Sequence, residues 1–315
     1  MIRRQQRLWP LLPFLCPEKG TDVRKKRKIT ERDVVHFVFT IPNLIFYSFF
    51  TVLPVLFGIY YSTTNWNGIS QKYSFVGLKN YITAFTSKRF LTSFWFSFRY
   101  AILLVIFVVV ISTALALLLN YRIKGQGFFK TVYFFPAMLC MMSVGLIFDK
   151  IFYFGLPELG RALGIEALEH NILSSKSTAM YGILLVNIWK SCSIPTVLIL
   201  SGLQTIPAEL LESANLDGAG RLRQLIDVKL PFILPMVSVV MILAFKEGLM
   251  LYDYILALTG GGPAGATESI TMTLYRMGFE DMKYSLAIAM SIIVSVIISV
   301  LSILQLKVTN KKRVY

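Results

Sequence analysis

Six stretches of this chain are each long and apolar enough to cross a lipid bilayer: about Val34–Ser62, Thr92–Leu119, Phe128–Ile151, Ala179–Leu203, Phe232–Leu258 and Tyr284–Leu306. A hydrocarbon core of about 30 Å needs roughly 20 apolar residues per helix, and it offers no water to satisfy exposed backbone groups. The expected fold is therefore an all-α integral membrane bundle of six transmembrane helices. With 55% hydrophobic and 16% charged residues in 315, the chain leaves no room for a large soluble domain.

An even number of spans puts both termini on one side, and the basic residues say which. One set of flanking segments holds Arg3, Arg4, Arg7, Lys19, the run Arg24–Lys28, Arg32, Arg122, Lys124, Lys130, Arg221, Arg223, Lys229, Lys307 and Lys311–Arg313. The other holds only Lys72, Lys79, Lys88, Arg89, Arg161, Lys176, Arg276 and Lys283. Basic residues concentrate on the cytoplasmic side, so both termini are expected there. The net charge of +15 thus reads as orientation and not as nucleic-acid binding. Residues 1–33 read as a basic cytoplasmic tail, since the apolar stretch Leu8–Cys16 is short and broken by Pro10 and Pro13, unlike a secretory signal. Residues 34–307 form the permeating domain and 308–315 a cytoplasmic C-terminal tail.

Several chemistries find no support. Cys16, Cys140 and Cys192 lack paired or His-associated spacing, so neither a disulfide framework nor a metal site is expected. No GxxxxGK[ST], HExxH or GxSxG pattern occurs, and His36 and His170 are the only histidines. No catalytic residue is assigned, and no cofactor is expected in this chain. Pro42, Pro54, Pro136, Pro195, Gly145, Gly182 and Gly202 inside the apolar runs are tolerable only where neighbouring helices re-satisfy the backbone.

Between the fourth and fifth runs, about residues 205–230, lies a short polar loop. Thr205 suits a helix N-cap, Pro207 the first turn, and Glu209 and Glu212 the positive helix end. Leu210, Leu211 and Ala214 share a face, Gly218 breaks the helix, and Leu222, Leu225 and Ile226 begin a second short helix that enters the membrane at Pro231. The stretch Glu212-Ser213-Ala214, Asp217-Gly218-Ala219 and Leu230-Pro231 resembles the EAA loop of ABC importer permeases, with Ser213 in place of the middle alanine. One span later, Thr259-Gly260-Gly261-Gly262-Pro263 is similar to the external loop of sugar permeases of the maltose, glycerol-3-phosphate and oligosaccharide group, in particular the first of two paired subunits.

That resemblance implies a type I importer permease of the MetI-like fold in the bacterial cytoplasmic membrane. It implies a second, homologous permease, two ATPase subunits that bind ATP and Mg, and an extracytoplasmic solute-binding protein. Glu209, Glu212, Ala214, Asp217, Gly218 and Ala219 would couple the chain to the ATPase. The competing readings are an importer for a non-sugar solute and an ion-coupled secondary transporter, the latter requiring internal repeats that are not visible.

Counting about 1.5 Å per residue from the membrane surface places Lys190, Lys246 and Glu247 near the midplane. Charged groups at that depth normally face a cavity or each other. Asn187, Trp189, Tyr252, Asp253 and Tyr254 add the hydrogen-bonding groups and flat surfaces that a sugar requires. These eight residues form the candidate solute pathway. Lys190 or Lys246 pairing with Glu247 is the structural alternative, and the surplus positive charge is compatible with an acidic sugar.

Overall fold

A computed structural model describes residues 31–121 and 125–311, so the expected tail through residue 30, the basic residues Arg122 and Lys124, and residues 312–315 lie outside the described residues. The chain divides into two units, Met1–Val55 and Leu56–Tyr315. In the first, helix α1 (Glu31–Tyr47) runs through Pro42 into a wider π turn at Ser48–Val52. The apolar helix Phe37–Ser62 is long enough to span a bilayer and ends in α2 (Leu53–Ser62).

The second unit is organised by α4 (Lys88–Asn120), whose 33 residues follow the short α3 (Lys79–Thr86). Ser87 caps α4 by accepting from the Phe90 N–H. Tyr100, Leu104 and Val108 recur at helical spacing and are fully buried, which gives α4 one face for its neighbours. It packs on α12 (Leu230–Leu249) and on α9 (Ser193–Gln204). Closest approach is at Gly248, where an added Cβ would stand 2.6 Å from Ala101 Cα. Small residues at such crossings let backbones meet, which drives packing where lipid removes the hydrophobic difference. A separate core, around Phe90, Ile270 and Met290, joins α3 and α4 to α14 (Ile270–Tyr275) and α15 (Tyr284–Lys311).

Among the described residues, four helices are long and apolar enough to cross a membrane, and six spans result if two bent pairs each count as one. The expected third span is broken. After α5 (Gln126–Phe134), a 3-10 turn at Phe135–Met138 leads to extended Leu139 and Cys140, and α6 (Met141–Lys150) leaves at 103°. Pro136 supplies no N–H to continue the α5 ladder. A π turn joins α6 to α7 (Leu156–Leu163).

The fourth span bends by 44° at Cys192, between α8 (Ala179–Ser191) and α9. Pro195 leaves the Ser191 carbonyl without its usual N–H partner four residues on. Hydroxyls gather at the break: Ser112 and Thr196 donate to the Cys192 carbonyl, and Ser193 donates to the Tyr133 carbonyl.

The fifth span is displaced from its expected limits. It begins inside the loop, because α11 (Arg221–Gln224) continues through a π turn at Leu225–Lys229 into α12 as one 29-residue helix, Arg221–Leu249. No separate second loop helix exists. It also ends nine residues early, at Leu249, and α13 (Asp253–Leu258) restarts after a break, with Asp253 in its first turn. At the last span, α15 runs on to Lys311, past the expected boundary at residue 307.

Candidate functional site

The loop helix is α10 (Ala208–Leu216). Its N-cap is Pro207, not Thr205, whose hydroxyl instead donates to the Gly202 carbonyl and closes α9. Its C-terminus is closed by two reverse bonds, Ala219 N–H to Ala214 carbonyl at 2.9 Å and Gly218 N–H to Asn215 carbonyl at 3.0 Å. This is a Schellman ending, and it demands the left-handed backbone that Gly218 adopts at φ +72°. Gln224 then donates to Asn215 Oδ1 at 2.5 Å and to the Ala219 carbonyl at 3.0 Å, tying α10 to the start of the fifth span.

Glu209, Glu212, Asp217 and Gly218 are exposed, while Ala214 and Ala219 are half-buried. Leu216 and Leu222 are exposed to 89% and 70% beside them. Behind the loop, a cavity of about 250 Å³ is lined by residues including Leu117, Tyr121, Arg221 and Lys229, with the Lys229 ammonium 5.9 Å from the Tyr121 ring centre. The result is a hydrogen-bonded knob with exposed leucines and carboxylates.

Higher in the second unit, a chain of polar side chains links three helices. Asn187, fully buried on α8, donates to Tyr100 Oη of α4 at 3.0 Å. Ser191 Oγ lies 2.7 Å from Asn187 Oδ1 and 2.5 Å from Glu247 Oε1 of α12. Among the described residues Glu247 makes no ion pair with Lys190 or Lys246. Lys190 is half-buried and Lys246 exposed. Trp189 is exposed in part and packs its ring 5.5 Å from Phe148.

Tyr252, Asp253 and Tyr254 do not sit on the fifth span proper but at the break and at the start of α13. Tyr252 packs on Tyr275 at 5.5 Å, Asp253 is exposed, and Tyr254 is buried with its hydroxyl lacking a partner among the described residues. Sequence reasoning passed over Tyr100 and Ser191. The signal for Ser191 was its place four residues after Asn187, on one helical face; Tyr100 stood in an apolar run with nothing to mark its partner. Arg89, Glu268 and Arg276 were also missed. Arg89 Nη2 meets Glu268 Oε1 at 2.6 Å and Arg276 Nη1 meets the same oxygen at 3.4 Å.

The loop helix, its glycine ending before the fifth span and the surrounding apolar helices agree with one family. The binding-protein-dependent transport system inner membrane component family matches residues 108–314. The chain belongs to this family. It is thus a multi-pass membrane permease of the ABC importer type, not an enzyme. It is 39% identical over 273 residues to the multiple sugar-binding transport system permease protein MsmF of Streptococcus mutans, covering 87% of this chain and 94% of that one. It is 29% identical over 290 residues to a probable starch degradation products transport system permease protein, AmyD, of Thermoanaerobacterium thermosulfurigenes, covering 92% and 99%. The fold is shared with a bacterial alginate ABC transporter solved with an alginate pentasaccharide-bound periplasmic protein, at a TM-score of 0.78, 20% identity, and 90% and 96% coverage.

Proposed function

We propose that this chain is one permease half of an ATP-driven importer for a sugar or oligosaccharide in the bacterial inner membrane. Six spans with both termini cytoplasmic would form half of the pathway, a second permease the other half, and two separate ATPase subunits would bind ATP and Mg. An extracytoplasmic binding protein would deliver the solute. The observation that carries the coupling role is the Gly218-closed knob, whose exposed Leu216 and Leu222 and acidic Glu209, Glu212 and Asp217 suit a partner groove. Exposed leucines beside a glycine-closed helix end suit insertion into a partner groove. The sugar class is supported by the relatives named above. Within the membrane, Asn187, Trp189, Lys190, Lys246, Glu247, Tyr252, Asp253 and Tyr254 line or brace the solute path.

Reconstitution tests the reading. The chain, its partner permease, the ATPase and the binding protein are placed in proteoliposomes with labelled raffinose or maltotriose. Uptake should require ATP and every component. Uptake driven by an ion gradient without the ATPase would identify a secondary transporter instead.

A further inference from the structure

Six aromatic rings form an unbroken file of contacts on the side of the second unit where α12 ends and α15 begins. Tyr61 stacks on Trp66 at 4.3 Å between ring centres, and Trp66 meets Tyr284 edge-on at 5.4 Å. Tyr284 meets Phe279 at 5.8 Å, Phe279 meets Tyr275 at 5.2 Å, and Tyr275 meets Tyr252 at 5.5 Å. The file therefore runs from the loop after α2, over the start of α15, to the break beyond α12 where Asp253 stands exposed.

These rings are not a core, since Tyr275 and Phe279 are exposed and the other four are only half-buried. They are held in place. The Ser285 N–H donates to the Trp66 carbonyl at 3.1 Å, Arg276 donates to the Gly260 carbonyl at 2.8 Å, and Arg89 pairs with Asp281 at 3.3 Å. Exposed carboxylates, Asp253 and Glu280, flank the file.

We propose that this file is a carbohydrate path, on which an oligosaccharide slides from the external surface toward the membrane pathway. The proposal rests on the sugar-importer reading. A pyranose has a flat C–H face that packs on an aromatic ring and a rim of hydroxyls that carboxylates accept. Rigid aromatic side chains give contact area at small entropic cost. Several weak, equivalent contacts also suit transfer, because each site must hold the solute and still release it.

The test uses the assembled importer in lipid nanodiscs without its binding protein, with maltotetraose and raffinose as probes and saturation-transfer NMR as readout. Phe279→Leu and Tyr275→Leu keep apolar bulk but lose the flat face, and each should weaken apparent sugar affinity by about fivefold. Phe279→Tyr should bind like the unmodified chain. Equal affinity in the leucine variants, or no saturation transfer to the unmodified complex, overturns the path. Leucine variants that only reduce the amount of complex in the membrane, with unchanged affinity per complex, assign the rings to lipid and also overturn it. ATP-dependent uptake of labelled sugar is measured in proteoliposomes of the same importer with its binding protein added. If the unmodified importer takes up sugar and the leucine variants bind and transport equally, the path fails and the importer reading stands; if no sugar is taken up, that reading fails and the path falls with it.

Discussion

Ser191 is hydrogen-bonded to Glu247 across the gap between α8 and α12, Oγ to Oε1 at 2.5 Å, at the point where the fourth span bends. The same hydroxyl also faces Asn187 Oδ1, so one proton stands between two acceptors. This contact ties the first half of the bent span to the helix that begins at the Gly218-closed loop.

A double-mutant cycle on Ser191→Ala and Glu247→Ala should show coupling of about 0.6–1.7 kcal/mol in the stability of the purified complex, the average-to-maximum range of such cycles between membrane helices. Lys190→Ala with Glu247→Ala should couple less, because no ion pair joins them. Glu247→Gln should be milder than Glu247→Ala, since its amide donates to Ser191 while Ser191 donates to Asn187. Equal coupling in both cycles would show that charge, and not the hydroxyl contact, joins these helices.

At the knob, Gly218→Val forces a β-branched residue into φ +72°, a strain of about 1–2 kcal/mol or more. Nothing lies within 4 Å of an added Cβ there, so the cost is conformational and not steric. Uptake and ATPase co-purification should both fall. Gly218→Asn, which tolerates the left-handed region, should retain most of each. A valine variant with full uptake would remove the need for this ending.

Gly248→Ala places a Cβ 2.6 Å from Ala101 Cα, a backbone atom that cannot rotate away. Separating α4 from α12 should cost about 1–3 kcal/mol and lower the melting temperature of the complex. Gly155→Ala meets nothing within 4 Å and serves as the control that should melt unchanged.

On the opposite side, Glu268 accepts from both Arg89 and Arg276 and is the less exposed partner, at 12% against 35% and 28%. Glu268→Gln should destabilise the segment that carries α14 by about 1 kcal/mol, the arginines being partly solvated. Arg89→Lys should behave similarly, because an ammonium does not reproduce the forked contact to both carboxylate oxygens at 3.1 and 3.2 Å through Nε. Limited proteolysis between residues 259 and 283 should report both. Unchanged cleavage would show that the bonds from the Ser269 hydroxyl to the Leu251 carbonyl and from the Ile270 N–H to Ser97 Oγ suffice.

The sequence by itself determined the solvent this chain folds in and the local shape of its knob. Apolar run length is a property of consecutive residues, so the spans were legible. The glycine ending of α10 was legible too, because a Schellman closure is written within six residues. Tertiary structure decided where the spans break. Pro136 and Pro195 each remove one backbone bond, but the first gives a 103° turn and the second a 44° bend, according to what packs beside them. At the Cys192 bend, the Ser112 hydroxyl of α4 and the Thr196 hydroxyl of α9 donate to the Cys192 carbonyl; after Pro136, extended Leu139 and Cys140 leave the ladder altogether. The partner of Glu247 was likewise decided by helix register. Depth along a span follows from counting residues, whereas azimuth between helices depends on close approaches such as Gly248 to Ala101, which join positions 147 residues apart.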